Sequence, residues 1–277
     1  MGRRSKVVRK LYVVLKDFSD EMRKQNISAY AASIAFFFFL SVVPMLITIC
    51  TIIPYTPLTE EDLVTAVTDL TPEMVDPLAE SLVSDVYNRS AGILSVALIA
   101  TIWSAAKGVM ALMQGLNAVN GVEEKRNYFI IRLIASLYTV VMLVVVILSL
   151  FIMVFGNQLV NLALHRIPNL KRVVSFAMNF RFLLVWVILS LLFAAVYAYV
   201  PNKKLHFRDQ LPGAVFAAVV WSVFSWGFSL YVAWGNTYGI YGSLSIIIIV
   251  LLWMYFCMYI IMIGAYLNRY FSLENKG

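Results

Sequence analysis

The sequence predicts an all-α, polytopic membrane protein: six transmembrane helices, an N-terminal interfacial helix and short extracytoplasmic amphipathic helices. Three observations lead there. Hydrophobic residues make up 61% of the 277 and charged residues only 13%, against about 45–50% and about 25% in soluble domains. The apolar residues gather into six runs, each near the roughly 20 residues a helix needs to cross hydrocarbon. Lysine and arginine cluster between those runs, where membrane topology places them. At a mean hydropathy of +0.82, a chain this short could not shield its apolar side chains from water in any soluble fold.

Residues 1–28 carry eight cations: Arg3, Arg4, Lys6, Arg9, Lys10, Lys16, Arg23 and Lys24. Val8, Leu11, Leu15, Phe18 and Met22 recur among them at helical spacing, which makes one apolar stripe. Such a helix suits a cytoplasmic leaflet of anionic lipids, its other reading being a solvated helix packed beneath the membrane domain. The charged start and the length of the following apolar run do not fit a cleavable signal peptide. The membrane domain occupies 29–267. Its first span, 29–53, contains Pro44, which lacks a backbone donor and clashes with the preceding turn, so a kink is expected there. Residues 54–90 form an outer polar segment. Thr59 before Glu60, Glu61 and Asp62 reads as one helix start, and Thr71-Pro72-Glu73 as another. Met74, Leu78, Leu82 and Val86 mark an apolar face on the second. The later spans are expected at 91–113, 132–155, 182–200, 211–234 and 244–267, and 268–277 is a short tail. Gly213, Ala214, Ala217 and Ala218 in the fifth span are small residues at helical spacing, a pattern for close helix packing.

Orientation follows from the charges. With both termini in the cytoplasm, the inner segments hold sixteen of the lysines and arginines and the outer ones five, which fits the positive-inside rule. Four of the outer five lie at 156–181 (Arg166, Lys171, Arg172 and Arg181), and the eight acids of 54–90 are their expected counterpart across the outer surface. The net charge of +7 thus reads as topology; nucleic acid is not an expected partner. Cys50 and Cys257 each sit in an apolar run without a second cysteine nearby, so neither a disulfide nor zinc is indicated. No internal repeat stands out.

Few residues could carry chemistry. Lys107 is the charged side chain well inside a span, and Ser104, Gln114 and Asn117 share a broad helical face with it. A lone ammonium in hydrocarbon costs roughly 2.5–3.5 kcal/mol on insertion scales, and such groups usually serve a function. With Trp103, these residues are the candidate substrate pathway. Two readings of Lys107 stay open: the wall of a polar cavity, or a side chain that snorkels to lipid phosphates. Between the last two spans, Gly239 and Gly242 permit positive φ while Tyr238 and Tyr241 suit the interface. That segment reads as a tight outer turn, with a ligand loop as the alternative. His165 and His206 fall in connections on opposite sides of the membrane, and no HExxH, paired carboxylates or nucleophile–base set is visible. Neither cofactor nor metal nor catalytic residue is expected.

Several segments resemble, in order, the motifs of the YihY/BrkB family of bacterial inner-membrane proteins. They are Ala31-Ala-Ser-Ile-Ala-Phe36 through Leu40-Ser-Val-Val-Pro44; Ile102-Trp-Ser-Ala-Ala-Lys-Gly108 with Leu116-Asn117; Tyr197 to Pro201-Asn202 with Pro212-Gly213-Ala214; and Tyr238-Gly-Ile-Tyr-Gly-Ser-Leu244 with Leu252-Trp253 and Gly264-Ala265. The resemblance runs from about Ile27 to Asn268. It implies a six-helix plasma-membrane protein without a settled activity, from a family once labelled ribonuclease BN and associated with serum resistance or envelope traits. Members often carry an acid after the Gly-Ala of the last span, where this chain has Tyr266. An ion-coupling role built on that acid is therefore not expected here.

Together these features point to a transporter or flippase-like protein for a small solute or lipid. The alternatives are an envelope scaffold that docks a partner protein through 54–90, and an intramembrane enzyme. Substrate and oligomeric state are not legible.

Overall fold

The computed structural model of the chain describes residues 20–52, 91–166, 181–234 and 243–274, with Lys16 and single positions between 61 and 84. Most of the outer segment at 54–90, most of the N-terminal basic helix and the turn holding Tyr238, Gly239, Tyr241 and Gly242 lie outside the described residues; the described positions between 61 and 84 are helical. Six long helices follow in order: α1 Ile27–Ile52, α2 Ala91–Asn120, α3 Tyr128–Arg166, α4 Arg181–Tyr199, α5 Leu211–Trp234 and α6 Ser243–Glu274, with a 3₁₀ turn at Phe207–Gln210 before α5. The described residues contain no strand.

Among the described residues, five stretches are long and apolar enough to cross a membrane: Ile27–Thr48, Ser95–Asn120, Tyr128–Leu148, Phe207–Val232 and Ser245–Ser272. The sixth apolar helix, α4, is shorter. At 19 residues it extends about 28 Å, close to the roughly 30 Å of a hydrocarbon core. These helices turn large apolar side chains outward; Phe129 is 77% exposed and Leu133 72%. Contiguous surface of that kind marks contact with lipid, where only backbone that satisfies its own hydrogen bonds persists. The architecture is thus the all-α, multi-span membrane fold that composition and periodicity lead one to expect. Three helices, α2, α3 and α6, run longer than the apolar runs expected of them: α3 continues to Arg166, so His165 lies on a helix rather than in a connection.

The chain forms two compact units. Residues 1–36, 110–126 and 182–277 make one, and residues 37–109 and 127–181 the other. The first unit is organised by α5 packed along α6. The approach is close because small residues meet. Ala214, Ala217 and Ala218 are fully buried, and a Cβ on Gly264 would stand 2.6 Å from the Gly213 carbonyl oxygen. Asn268 ties the same pair by polar bonds. Its Oδ1 accepts from the Gly213 N–H at 2.7 Å and its Nδ2 donates to the Gln210 carbonyl at 2.9 Å. A side chain from α6 thereby serves backbone groups at the start of α5, where helix geometry leaves amides unpaired. Tyr197 of α4, almost completely buried, donates to the Ile261 carbonyl at 2.7 Å. At the N-terminal end, residues 20–24 are helical and Met22 is buried. Asn26 then adopts φ 53°, a left-handed conformation that asparagine tolerates. Its carbonyl accepts from Ala29 and Tyr30, which starts α1.

In the second unit, α1 passes through Pro44, whose missing N–H leaves the carbonyl four residues earlier without its helical donor. One turn later Thr48 is fully buried beside Thr101 of α2. Their hydroxyls stand 3.0 Å apart, so one proton joins the helices while the other returns to a carbonyl four residues back, at Pro44 or Ala97. Beyond lipid-like packing, Gly108 admits Phe38; a Cβ there would lie 2.7 Å from that ring.

Candidate functional site

The face of α2 expected to line a pathway divides. Trp103, Lys107 and Gln114 are exposed, and steps of four and seven residues keep them on one side of the helix. Ser104 is half-buried and its hydroxyl returns to the Ala100 carbonyl at 2.8 Å, a local bond that occupies its proton. Asn117 turns away from the exposed side and is buried. The reason is angular: the residues from Ser104 to Asn117 sweep roughly 140° of a helix with 100° per residue, too wide for one wall.

On the exposed part, Lys107 places its ammonium 5.4 Å from the centre of the Phe37 ring, within reach of a cation–π attraction. One turn earlier, Trp103 meets Arg132, from the second turn of α3. The Arg132 Nη2 donates to the Trp103 carbonyl at 2.7 Å and the guanidinium carbon stands 4.5 Å over the indole. Arg132 is only 8% exposed, and its Nη1 is buried without a hydrogen-bond partner among the described residues. Counting charges for topology assigns Arg132 to a cytoplasmic segment; its contact with Trp103 has no signal in the sequence.

Asn117 belongs to a second polar cluster. Its Nδ2 donates to the Glu124 carboxylate at 2.8 Å and its Oδ1 accepts from the Asn202 N–H at 2.7 Å. Asn202 Nδ2 reaches the other Glu124 oxygen at 3.2 Å. Arg126 completes the cluster through Nε at 2.8 Å and Nη2 at 2.7 Å, one to each carboxylate oxygen, the paired geometry in which arginine holds a carboxylate best. Local structure sets this up. Gly121, at φ 64°, ends α2, and the Val122 N–H bonds back to the Asn117 carbonyl at 2.9 Å, the six-to-one bond of a left-handed helix cap. Arg269 of α6 donates to the Val119 carbonyl beside it, placing a cation at the negative end of the helix. Glu124 and Asn268 are polar residues that sequence reasoning did not single out. Asn117 and Asn202 both fall in the motifs quoted above, and that was the available hint of their pairing.

The Arg126 guanidinium holds the Glu124 carboxyl below the ordinary carboxylate range, with the Asn117 amide helping and partial burial opposing. A lowered folded-state value stabilises the protein above the ordinary carboxylate value, and that contribution is lost as pH falls through the lowered one. Glu124→Gln is therefore expected to narrow the difference between unfolding midpoints measured at about pH 7 and about pH 3. An equal loss of stability at both pH values would contradict this.

Among the described residues no three of His, Cys, Asp or Glu stand together as a metal site, and the buried Cys257 is a free thiol. Pro44 lies within α1, and its carbonyl accepts from Thr48, which pairs with Thr101 of α2.

Comparison with known proteins places this architecture. The chain is similar to the "Putative ribonuclease-like protein YfkH" of Bacillus subtilis (strain 168), 34% identical over 248 residues that cover 89% of this chain and 90% of that protein. It is also similar to a UPF0761 membrane protein of Pseudoalteromonas translucida, 36% identical over 84 residues, 30% of this chain and 28% of that protein. A UPF0761 membrane protein of Vibrio cholerae is 38% identical over 74 residues, 26% of this chain and 25% of that protein. No solved structure matches. The model of the family described as "Virulence factor BrkB" matches residues 18–277, and the ordered motifs, the helical membrane fold and this match agree: the chain belongs to the BrkB family.

Proposed function

We propose that the chain is a transporter or flippase-like protein of a bacterial plasma membrane, with both termini in the cytoplasm, that moves a lipid or small amphiphilic solute. One observation carries the reading. Lys107 is exposed on α2, while α1, α2 and α3 contain no aspartate or glutamate to neutralise it. An exposed cation at a lipid-facing surface is costly unless it meets an anion or water, and Trp103, one turn away on the same side of α2, is an exposed amphipathic neighbour. Residues 1–28 would hold the protein on anionic lipid through their eight cations.

The "ribonuclease-like" wording of the Bacillus relative is not extended to this chain. Several buried polar groups hold the structure together: Asn117, Asn268, Tyr197 and the Thr48–Thr101 pair bond backbone or side-chain partners on other segments. A second reading, an envelope scaffold, is favoured by residues 54–90, which hold eight acids against the single Arg89 and would suit a basic partner protein.

The test is a lipid-scrambling and solute-flux assay in proteoliposomes. Lys107→Met is expected to reduce flux about tenfold, near 1.4 kcal/mol of barrier, while deletion of 59–87 leaves Lys107-dependent flux in place. Full flux in Lys107→Met would remove Lys107 from the pathway, and absent flux in the intact protein would remove the transport reading. Flux absent from the intact protein, together with a partner protein lost on the deletion, would support the scaffold.

A further inference from the structure

We infer that Arg132, stacked on Trp103, and Lys107, one helical turn further along α2, form a binding site for the phosphate of a membrane phospholipid. The inference rests on the reading of the exposed α2 face as a lipid-handling surface and adds the ligand chemistry to it. A guanidinium is always charged and carries five N–H donors. Arg132 commits Nη2 to the Trp103 carbonyl and a face of its plane to the indole, but Nη1 is buried without a partner among the described residues. A donor on a buried cation is costly to leave unmet. No carboxylate on the three helices of this region can meet it, because α1, α2 and α3 have none.

An anion arriving from the membrane side would meet both the free donor and the charge. Trp103 and Lys107 are exposed there, one helical turn apart, and so are Phe129 and Leu133 of α3, the neighbours of Arg132 in its own helix. A phospholipid fits this pattern. Its phosphate oxygens accept from Nη1 and from the Lys107 ammonium, and its acyl chains lie along the apolar α3 surface. Polar headgroup and apolar tail are both accommodated within one short stretch, which a free soluble anion would not use. The exposed indole covers the guanidinium, so rotation of the Trp103 side chain admits the phosphate without moving the backbone.

The experiment is native mass spectrometry of the full-length protein released from detergent containing either phosphatidylglycerol or diacylglycerol of the same chains. Phosphatidylglycerol is expected to be retained about tenfold more, and Arg132→Gln and Lys107→Met are each expected to lower that retention about tenfold. Lys107→Met alters an exposed side chain, so it reads binding even if Arg132→Gln fails to fold. Equal retention of diacylglycerol, or undiminished phosphatidylglycerol in Lys107→Met, would overturn the site. Displacement of the lipid by millimolar inorganic phosphate would overturn the lipid assignment in favour of a soluble anion. Lysine-dependent retention in a protein that shows no flux would leave this site standing while the transport reading fell.

Discussion

Gly213→Ala is expected to lower the thermal unfolding midpoint of the detergent-solubilised protein, and Gly227→Ala, in the same helix, to raise it slightly. The two glycines share a residue type and a helix but not a neighbourhood. A Cβ on Gly213 would run into the Gly264 carbonyl oxygen and stand 2.7 Å from the Asn268 amide carbon, whereas nothing lies within 4 Å of a Cβ on Gly227. Overpacking ordinarily costs about 1–3 kcal/mol, and we expect the upper end, about 3 kcal/mol, because the obstacle is backbone rather than a flexible side chain. Separation of α5 from α6 would also stretch the bonds from Asn268 to Gly213 and Gln210. At Gly227 the change only removes freedom from the unfolded chain and improves helix propensity, worth about 0.4–1 kcal/mol in the other direction. Matched melting curves of the two variants check both signs. A tolerated Gly213→Ala would mean that α5 and α6 do not approach as closely as described.

The second large effect is expected at Asn117. Asn117→Ala removes the acceptor of the Asn202 N–H and one of the donors to Glu124, in a cluster that the rest of the chain buries only in part. Leaving those groups unmet should cost about 2–3 kcal/mol. Gln114, three residues earlier and exposed, provides the contrast: Gln114→Ala should shift stability by no more than about 0.5 kcal/mol. Paired melting and flux measurements separate the roles. Loss of stability in Asn117→Ala with normal stability in Gln114→Ala places Asn117 in the scaffold; comparable melting of both variants would count against the buried cluster.

These predictions mark where sequence reasoning reached and where it stopped. The apolar runs announce the helices because hydrophobicity adds up along consecutive residues, so no knowledge of partners is needed. The small residues of α5 were likewise legible, since a missing side chain has local consequences. Ser104, Lys107, Gln114 and Asn117 are a different case. Helical geometry puts them within one broad sector, but whether a sector faces lipid or protein depends on the helices packed beside it. Arg132 shows the same limit from the other side. Counted as a topological charge, it is one cation among sixteen; placed against Trp103, it is a buried guanidinium with a donor to spare.

From the sequence alone came the membrane-spanning class, the helical content, the positions of the apolar runs and the family, all properties carried by short stretches of neighbouring residues. Tertiary structure decided which polar groups meet: Asn202 with Asn117 across 85 positions, Asn268 with Gly213 across 55, and Arg132 with the Trp103 carbonyl across 29. The physical reason is that a hydrogen bond depends on distance and angle between particular atoms, and in lipid each helix already satisfies its own backbone. Only the packing of one helix on another determines where the remaining donors and acceptors point.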